Sequence, residues 1–119
     1  MSTDTLEMTE QDTDRWTYVC RYDDLIPGRG VAALVAGQQV AVFRASSGLY
    51  ALDNLDPHSG AYVMSRGIVG SRGGIPTVAS PMYKDVFDLR TGACLDTPEY
   101  ALASRPVFHH RGLVFCALD

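Results

Sequence analysis

Lysine is almost absent from this sequence: Lys84 is the only one among ten basic residues. There is no Cys-x-x-Cys pair, no G-x-x-x-x-G-K-[ST] phosphate loop and no sustained helical period. No apolar run approaches the roughly 20 residues that a membrane span requires. A spanning helix, a phosphate loop and a helical bundle are thereby excluded. The N-terminus carries neither a basic segment nor an apolar leader, so no secretory signal is read and a cytoplasmic location is expected. The three cysteines, Cys20, Cys94 and Cys116, are an odd count without metal-ligand spacing. Free, packed thiols are the expectation in a reducing compartment. A reactive thiolate needs a neighbour that lowers its pKa, and no sequence feature supplies one.

Charge is unevenly placed. The formal net charge is −4, yet Asp4, Glu7, Glu10, Asp12 and Asp14 all lie in the first 14 residues, where no base occurs. In the rest of the chain nine acids face ten bases, which leaves about +1. Neither sign is strong enough to imply nucleic acid or an acidic membrane surface as partner. Residues 1–14 are polar and aperiodic and read as a disordered acidic tail.

From Trp16 onward the chain reads as short strands. Trp16–Cys20 alternates bulky and β-branched residues. Asp23-Asp24-Leu25 starts a turn closed by Pro27-Gly28 and Gly30, with Asp23 or Asp24 as its expected cap. Val31–Ala36 and Gln39–Ala45 are apolar strands joined at Gly37-Gln38. Leu49–Asp53 follows after Ser46-Ser47-Gly48. Further short strands are read at Gly67–Gly70, Thr77–Ala79, Val86–Leu89 and Ala93–Leu95, the third and fourth joined at Arg90-Thr91-Gly92. Ser71–Gly74 is a flexible turn. Thr97-Pro98 breaks the chain before two last strands, Arg105–His109 and Leu113–Leu118, joined by His110-Arg111-Gly112. Turn signals at this spacing predict an all-β antiparallel sandwich or barrel. A chain of 119 residues is one domain by size.

Two segments stand out: Asn54-Leu-Asp-Pro-His-Ser-Gly60, and Ser80-Pro-Met-Tyr-Lys-Asp-Val-Phe-Asp-Leu-Arg-Thr-Gly92. They resemble the two cluster-binding loops of the Rieske iron–sulfur family. In that family the first loop reads Cys-Pro-His with a glycine two residues after the His. The second reads Cys-Pro-x-His followed by Phe-Asp-Leu-x-Thr-Gly. Pro57, Gly60, Pro81, Phe87, Asp88, Leu89, Thr91 and Gly92 keep this frame. The ligand positions do not: Asp56 and Ser80 stand where the family has cysteine, and Tyr83 where it has the second histidine, so only His58 remains. The resemblance covers 15–119 and implies a Rieske-like all-β fold with a small loop subdomain at one tip.

A Rieske [2Fe–2S] centre needs two thiolates and two imidazoles. Asp56 and Ser80 offer no thiolate, and a tyrosine phenol with a pKa near 10 is a poor substitute for imidazole. No metal is therefore expected in this chain, and no catalytic residue. Asp56-x-His58 offers only two ligands, too few for a tight divalent site. The simpler reading is that Asp56 opens an Asx turn and His58 hydrogen-bonds within its own loop. Ser80 before Pro81 is likewise a turn residue, without the context of a nucleophile. His109 and His110 read as an edge pair at a strand end.

A stand-alone cluster-less domain of this kind is similar to the small subunits of bacterial assimilatory NAD(P)H-dependent nitrite reductase. Some members of that family retain the Rieske ligands. The resemblance implies a large-subunit partner that carries FAD, an iron–sulfur cluster ([4Fe-4S]) and sirohaem and converts nitrite to ammonium. This chain is then an accessory subunit without a redox centre. The alternative is an independent binding or regulatory module. A ferredoxin for an oxygenase is disfavoured by the missing ligands. In cluster-bearing relatives electrons leave through the tip, so Pro57, His58, Pro81, Met82, Tyr83 and Lys84 are candidate partner contacts. Equally, Met82 and Tyr83 could fill the volume the cluster occupies elsewhere.

Overall fold

The computed structural model describes residues 15–119, so the acidic tail read over 1–14 lies outside the described residues. The strands are β1 (Thr17–Arg21), β2 (Gly30–Val35), β3 (Gln38–Ala45), β4 (Gly48–Asp53), β5 (Ile68–Arg72), β6 (Ile75–Ala79), β7 (Val86–Asp88), β8 (Val107–His110) and β9 (Leu113–Cys116). They form three antiparallel three-stranded sheets, ordered β1-β9-β8, β2-β3-β4 and β5-β6-β7. The expected all-β Rieske-like architecture is what the chain adopts. Among the described residues no helix is long and apolar enough to cross a membrane.

β3 explains how the layers hold together. Val40, Ala41, Val42 and Phe43 are all fully buried, although successive residues of a strand point to opposite faces. Both faces of β3 are therefore covered. Ala41 and Phe43 pack with Leu52, Met64, Val78, Phe87 and Leu89 toward the β5-β6-β7 sheet. Val40 and Val42 pack with Leu25, Val35, Ala51, Val114 and Cys116 toward the β1-β9-β8 sheet. A continuous apolar run is what a doubly covered strand requires.

Several boundaries differ from the sequence reading, each for a local reason. The β2–β3 hairpin turns at Ala36-Gly37, one residue earlier than Gly37-Gln38, because a two-residue loop here has positive φ at both positions, +49° and +82°. Strand β5 continues to Arg72 and only Gly73-Gly74 turns. β8 starts after Pro106, which lacks an N–H, and keeps His110 in its ladder opposite Leu113. His109 on the same strand stacks on Tyr22 with centroids 4.3 Å apart. After Gly92 the chain makes isolated bridges, Phe87 with Cys94 and Ala93 with Ala101, in place of the expected strand. The turn at Tyr22–Asp24 is a short 3₁₀ helix with Arg21 at its N-cap and no side-chain cap, so neither Asp23 nor Asp24 caps it.

The Phe-Asp-Leu-Arg-Thr-Gly segment has a clear structural role. Phe87 and Leu89 enter the core, and the Asp88 carboxylate between them accepts bonds from Arg90 N–H (2.8 Å), Nε (3.1 Å) and Nη2 (3.0 Å). That pairing holds Asp88 below the usual carboxylate range. Gly92 closes the turn with φ +83°, and a Cβ there would collide with the Leu102 carbonyl oxygen. Cys94 and Cys116 are buried and Cys20 half-buried, and all three are free thiols. Burial pushes Cys116 up to about 11, the opposite of an activated thiolate.

Candidate functional site: two sister loops at the tip

The two loops singled out in the sequence have one backbone design. In the first, Asp56 N–H bonds to Ala61 O (2.8 Å) and Gly60 N–H bonds to Asp56 O (2.8 Å). In the second, Ser80 N–H bonds to Asp85 O (2.9 Å) and Lys84 N–H bonds to Ser80 O (3.0 Å). The opening side chain caps its own turn in each: Asp56 Oδ1 accepts from His58 N–H (3.0 Å), and Ser80 Oγ from Met82 N–H (3.2 Å). Pro57 and Pro81 take the second position, where no N–H is needed. The fifth position is left-handed in both, Gly60 at φ +77° and Lys84 at φ +68°.

The loops are joined through the positions where Rieske domains have their ligands. Asp56 and Ser80, at the two cysteine positions, are both fully buried, and Ser80 Oγ–H donates to Asp56 Oδ2 at 2.7 Å. Ser59 Oγ–H donates to the same oxygen at 2.9 Å. Burial pushes the Asp56 carboxyl upward, but the bonds from Ser80, the His58 N–H and Ser59 outweigh it and leave the pKa below the ordinary value. Among the described residues this buried carboxylate has no cationic partner and is held by hydrogen-bond donors alone.

The two histidine positions meet as well. His58 and Tyr83 stack with centroids 3.9 Å apart and planes 18° apart. Tyr100 stacks on the imidazole too, at 4.7 Å and 17°. Two rings nearly parallel to a third at such distances occupy its opposite faces, so His58 lies between two tyrosines. His58 Nδ1 is 2.7 Å from Asp85 Oδ2. The expectation that His58 bonds within its own loop holds for its N–H, which Asp56 accepts, and is corrected for its imidazole, whose partner stands on the second loop because the two loops face each other.

Sequence reasoning named Asp56, His58, Ser80 and Tyr83, and the structure brings all four together. It missed the parts played by Asp85 and Tyr100. Asp85 lies two residues beyond a ligand position, and Tyr100 comes from a segment without regular structure. The exposed surface is apolar: Met82 and Tyr83 are 51% and 56% exposed, and Leu55 and Tyr62, bridged to each other in the first loop, are 38% and 54% exposed. Pro57, His58 and Lys84 are exposed beside them and Pro81 half-buried. Chemically the site offers no activated nucleophile, since the Ser80 hydroxyl is buried and committed to a carboxylate. As a metal site it offers a carboxylate, a hydroxyl, one imidazole and one phenol, a set that does not fit a Rieske cluster.

Comparison with known proteins agrees with the fold and with the frame of the two loops. Residues 15–117 match the model of the Rieske-like [2Fe-2S] domain. The chain is 40% identical over 90 residues to the nitrite reductase (NADH) small subunit of Salmonella typhimurium, covering 74% of this chain and 83% of that one. A crystal structure from Mycobacterium tuberculosis, described as an NADH-dependent nitrite reductase small subunit, superposes with a TM-score of 0.83 at 50% identity, over 86% of this chain and 93% of that one. The chain is also 41% identical over 100 residues to the nitrite reductase [NAD(P)H] large subunit of Klebsiella oxytoca, covering 84% of this chain and 10% of that one. With the Rieske frame of both loops kept and the match running from residue 15 to residue 117, the chain belongs to the Rieske-like [2Fe-2S] domain family, in which it is similar to nitrite reductase small subunits.

Proposed function

We propose that this chain is the accessory small subunit of a cytoplasmic NAD(P)H-dependent nitrite reductase and that it acts without an iron–sulfur cluster of its own. The observation that carries this reading is the Asp56–Ser80 hydrogen bond. Two ligand atoms on one tetrahedral metal, each about 2.0–2.3 Å away, stand about 3.3–3.8 Å apart. Asp56 Oδ2 and Ser80 Oγ are 2.7 Å apart, the spacing of a hydrogen bond from the hydroxyl to the carboxylate and shorter than that of two ligands on one metal, which supports a reading without iron between them. The His58–Tyr83 stack closes the other side of the same space. No electron-transfer step is therefore assigned to this chain.

What remains is a hydrogen-bonded tip with an exposed apolar face. In this reading FAD, an iron–sulfur cluster and sirohaem belong to the large subunit, which reduces nitrite to ammonium, and this chain docks on it through Pro57, His58, Pro81, Met82, Tyr83 and Lys84. The half-exposed Met82 and Tyr83 favour contact over mere filling of space. The likeness to a segment making up 10% of the Klebsiella oxytoca large subunit supports the pairing, since there a similar domain belongs to the large polypeptide itself. The test is co-expression with the sirohaem-type large subunit of the same cell and purification through a tag on this chain. A stable complex that reduces nitrite with NAD(P)H, beside an isolated small chain that does not, supports the reading. Failure of the two to associate, or turnover by the small chain alone, overturns it and favours an independent module.

A further inference from the structure

Lys84 occupies a backbone position that its sister loop gives to glycine. The fifth residue of each loop must be left-handed for its N–H to reach the carbonyl of the first, 2.8 Å from Gly60 to Asp56 and 3.0 Å from Lys84 to Ser80. A Cβ at Gly60 would meet nothing within 4 Å, so conformation alone, not crowding, favours glycine there. A lysine at φ +68° is strained by the clash of its Cβ with the following carbonyl. The other described non-glycine residues with positive φ, Ala36 and Arg111, open two-residue hairpins and each precedes a glycine. Lys84 opens no hairpin and precedes Asp85, so its φ is set by the loop's own Lys84 N–H to Ser80 O bond without a neighbouring glycine to share the turn. It is the only lysine of the chain, it is exposed, and among the described residues it has no ion-pair partner. The nearest carboxylate in sequence, Asp85, is engaged by His58 at 2.7 Å. Its neighbours Met82 and Tyr83 are exposed apolar side chains. Strain retained in the free chain together with an unpaired charge amid apolar surface marks a group whose partner lies on another molecule.

Resting on the small-subunit reading above, we propose that Lys84 is the charged anchor of the docking surface and that the large subunit presents a carboxylate to it, inside an apolar rim that receives Met82 and Tyr83. Binding supplies the counter-charge that Lys84 lacks among the described residues. The strain is tolerated because glycine, the conformationally better residue, carries no charge.

The test uses the full-length chain and the large subunit, with Lys84→Gly, Lys84→Asn and Lys84→Glu. In the isolated subunit Lys84→Gly relieves the strain and raises Tm by about 2–5 °C. The same variant weakens binding of the large subunit about tenfold or more, and Lys84→Asn, which tolerates the left-handed backbone, weakens it similarly. Lys84→Glu weakens it further. Wild-type affinity falls as salt is raised from about 0.05 to 0.5 M, whereas the neutral variants lose most of that dependence. A wild-type chain that binds, with Lys84→Gly and Lys84→Asn binding within twofold of it, overturns the anchor and leaves the subunit assignment intact. A wild-type chain that does not bind at all overturns both. A Tm lowered by Lys84→Gly overturns the strain argument.

Discussion

Removal of the Ser80 hydroxyl probes the joint between the two loops. In Ser80→Ala, Asp56 Oδ2 loses a donor at 2.7 Å, a bond from a fully buried hydroxyl to a charged acceptor. Such bonds are worth about 1.5–3 kcal/mol. The Met82 N–H loses its acceptor at 3.2 Å as well, which adds about 0.5–1 kcal/mol. Asp56→Ala removes the acceptor of three donors, the Ser80 and Ser59 hydroxyls and the His58 N–H, and leaves the buried Ser80 O–H without an acceptor, its oxygen still accepting from the Met82 N–H. A cost of about 3–5 kcal/mol follows, a large share of an ordinary domain's 5–15 kcal/mol. The two losses overlap in one bond, so the double variant falls short of their sum by about 1.5–3 kcal/mol. Urea unfolding of the wild type, both single variants and the double variant measures this coupling. If Asp56→Ala is too unstable, Asp56→Asn keeps the shape and should still couple to Ser80 by about 0.5–1.5 kcal/mol. Coupling below about 0.5 kcal/mol in both cycles refutes the idea that the former cysteine positions now form the structural joint.

The pH dependence follows from the same carboxylate. The folded-state pKa values of Asp56 and Asp88 are depressed, so their stabilisation is fully present above about pH 4 and is lost as pH falls through the lowered values. Urea midpoints followed from about pH 6 down to pH 3 should fall, and fall less in Ser80→Ala, because Ser80 is the foremost donor holding Asp56 low. A second prediction restores the ligands: Asp56→Cys, Ser80→Cys and Tyr83→His together re-create two thiolates and two imidazoles with His58, and the triple variant should take up [2Fe–2S] on anaerobic reconstitution. A folded triple variant that never develops a Rieske spectrum means that the loops have diverged beyond their side chains. Finally, Met82→Ala and Tyr83→Ala should each weaken large-subunit binding by about 1–2 kcal/mol, with Tm little changed for Met82→Ala. A lowered Tm with intact affinity makes these residues fillers of the tip instead.

The sequence made the strands legible where apolar residues cluster between turn signals, as in Gln39–Ala45 and Leu49–Asp53. It did not reveal that Val40–Phe43 is covered on both faces, because an all-apolar run reads the same whichever neighbours cover it. The Ala36-Gly37 turn was displaced by one residue, since a lone glycine signals positive φ without telling which neighbour shares it. At the tip the ligand positions were legible from the Asp-Pro-His and Ser-Pro frames alone. Their new pairing was not. The Ser80–Asp56 and His58–Asp85 bonds join residues 24 and 27 positions apart, and no local pattern encodes which carboxylate meets which donor. Tyr100 was missed for the same reason: it reaches His58 from an irregular segment that lacks any periodic signal. Lys84 was visible only as a charge on the loop, and its strained backbone appears once the two loops are laid side by side.

The side chains of Asp56, Ser80, His58 and Tyr83 join this tip at the positions where the Rieske [2Fe–2S] family has its ligands. Whether iron is nonetheless bound is decided by anaerobic purification of the chain from its native cell, followed by iron and acid-labile sulfide analysis and visible absorption. A colourless protein with iron and sulfide far below one per chain is predicted. Iron and sulfide each at about two per chain, with a Rieske spectrum, would contradict it.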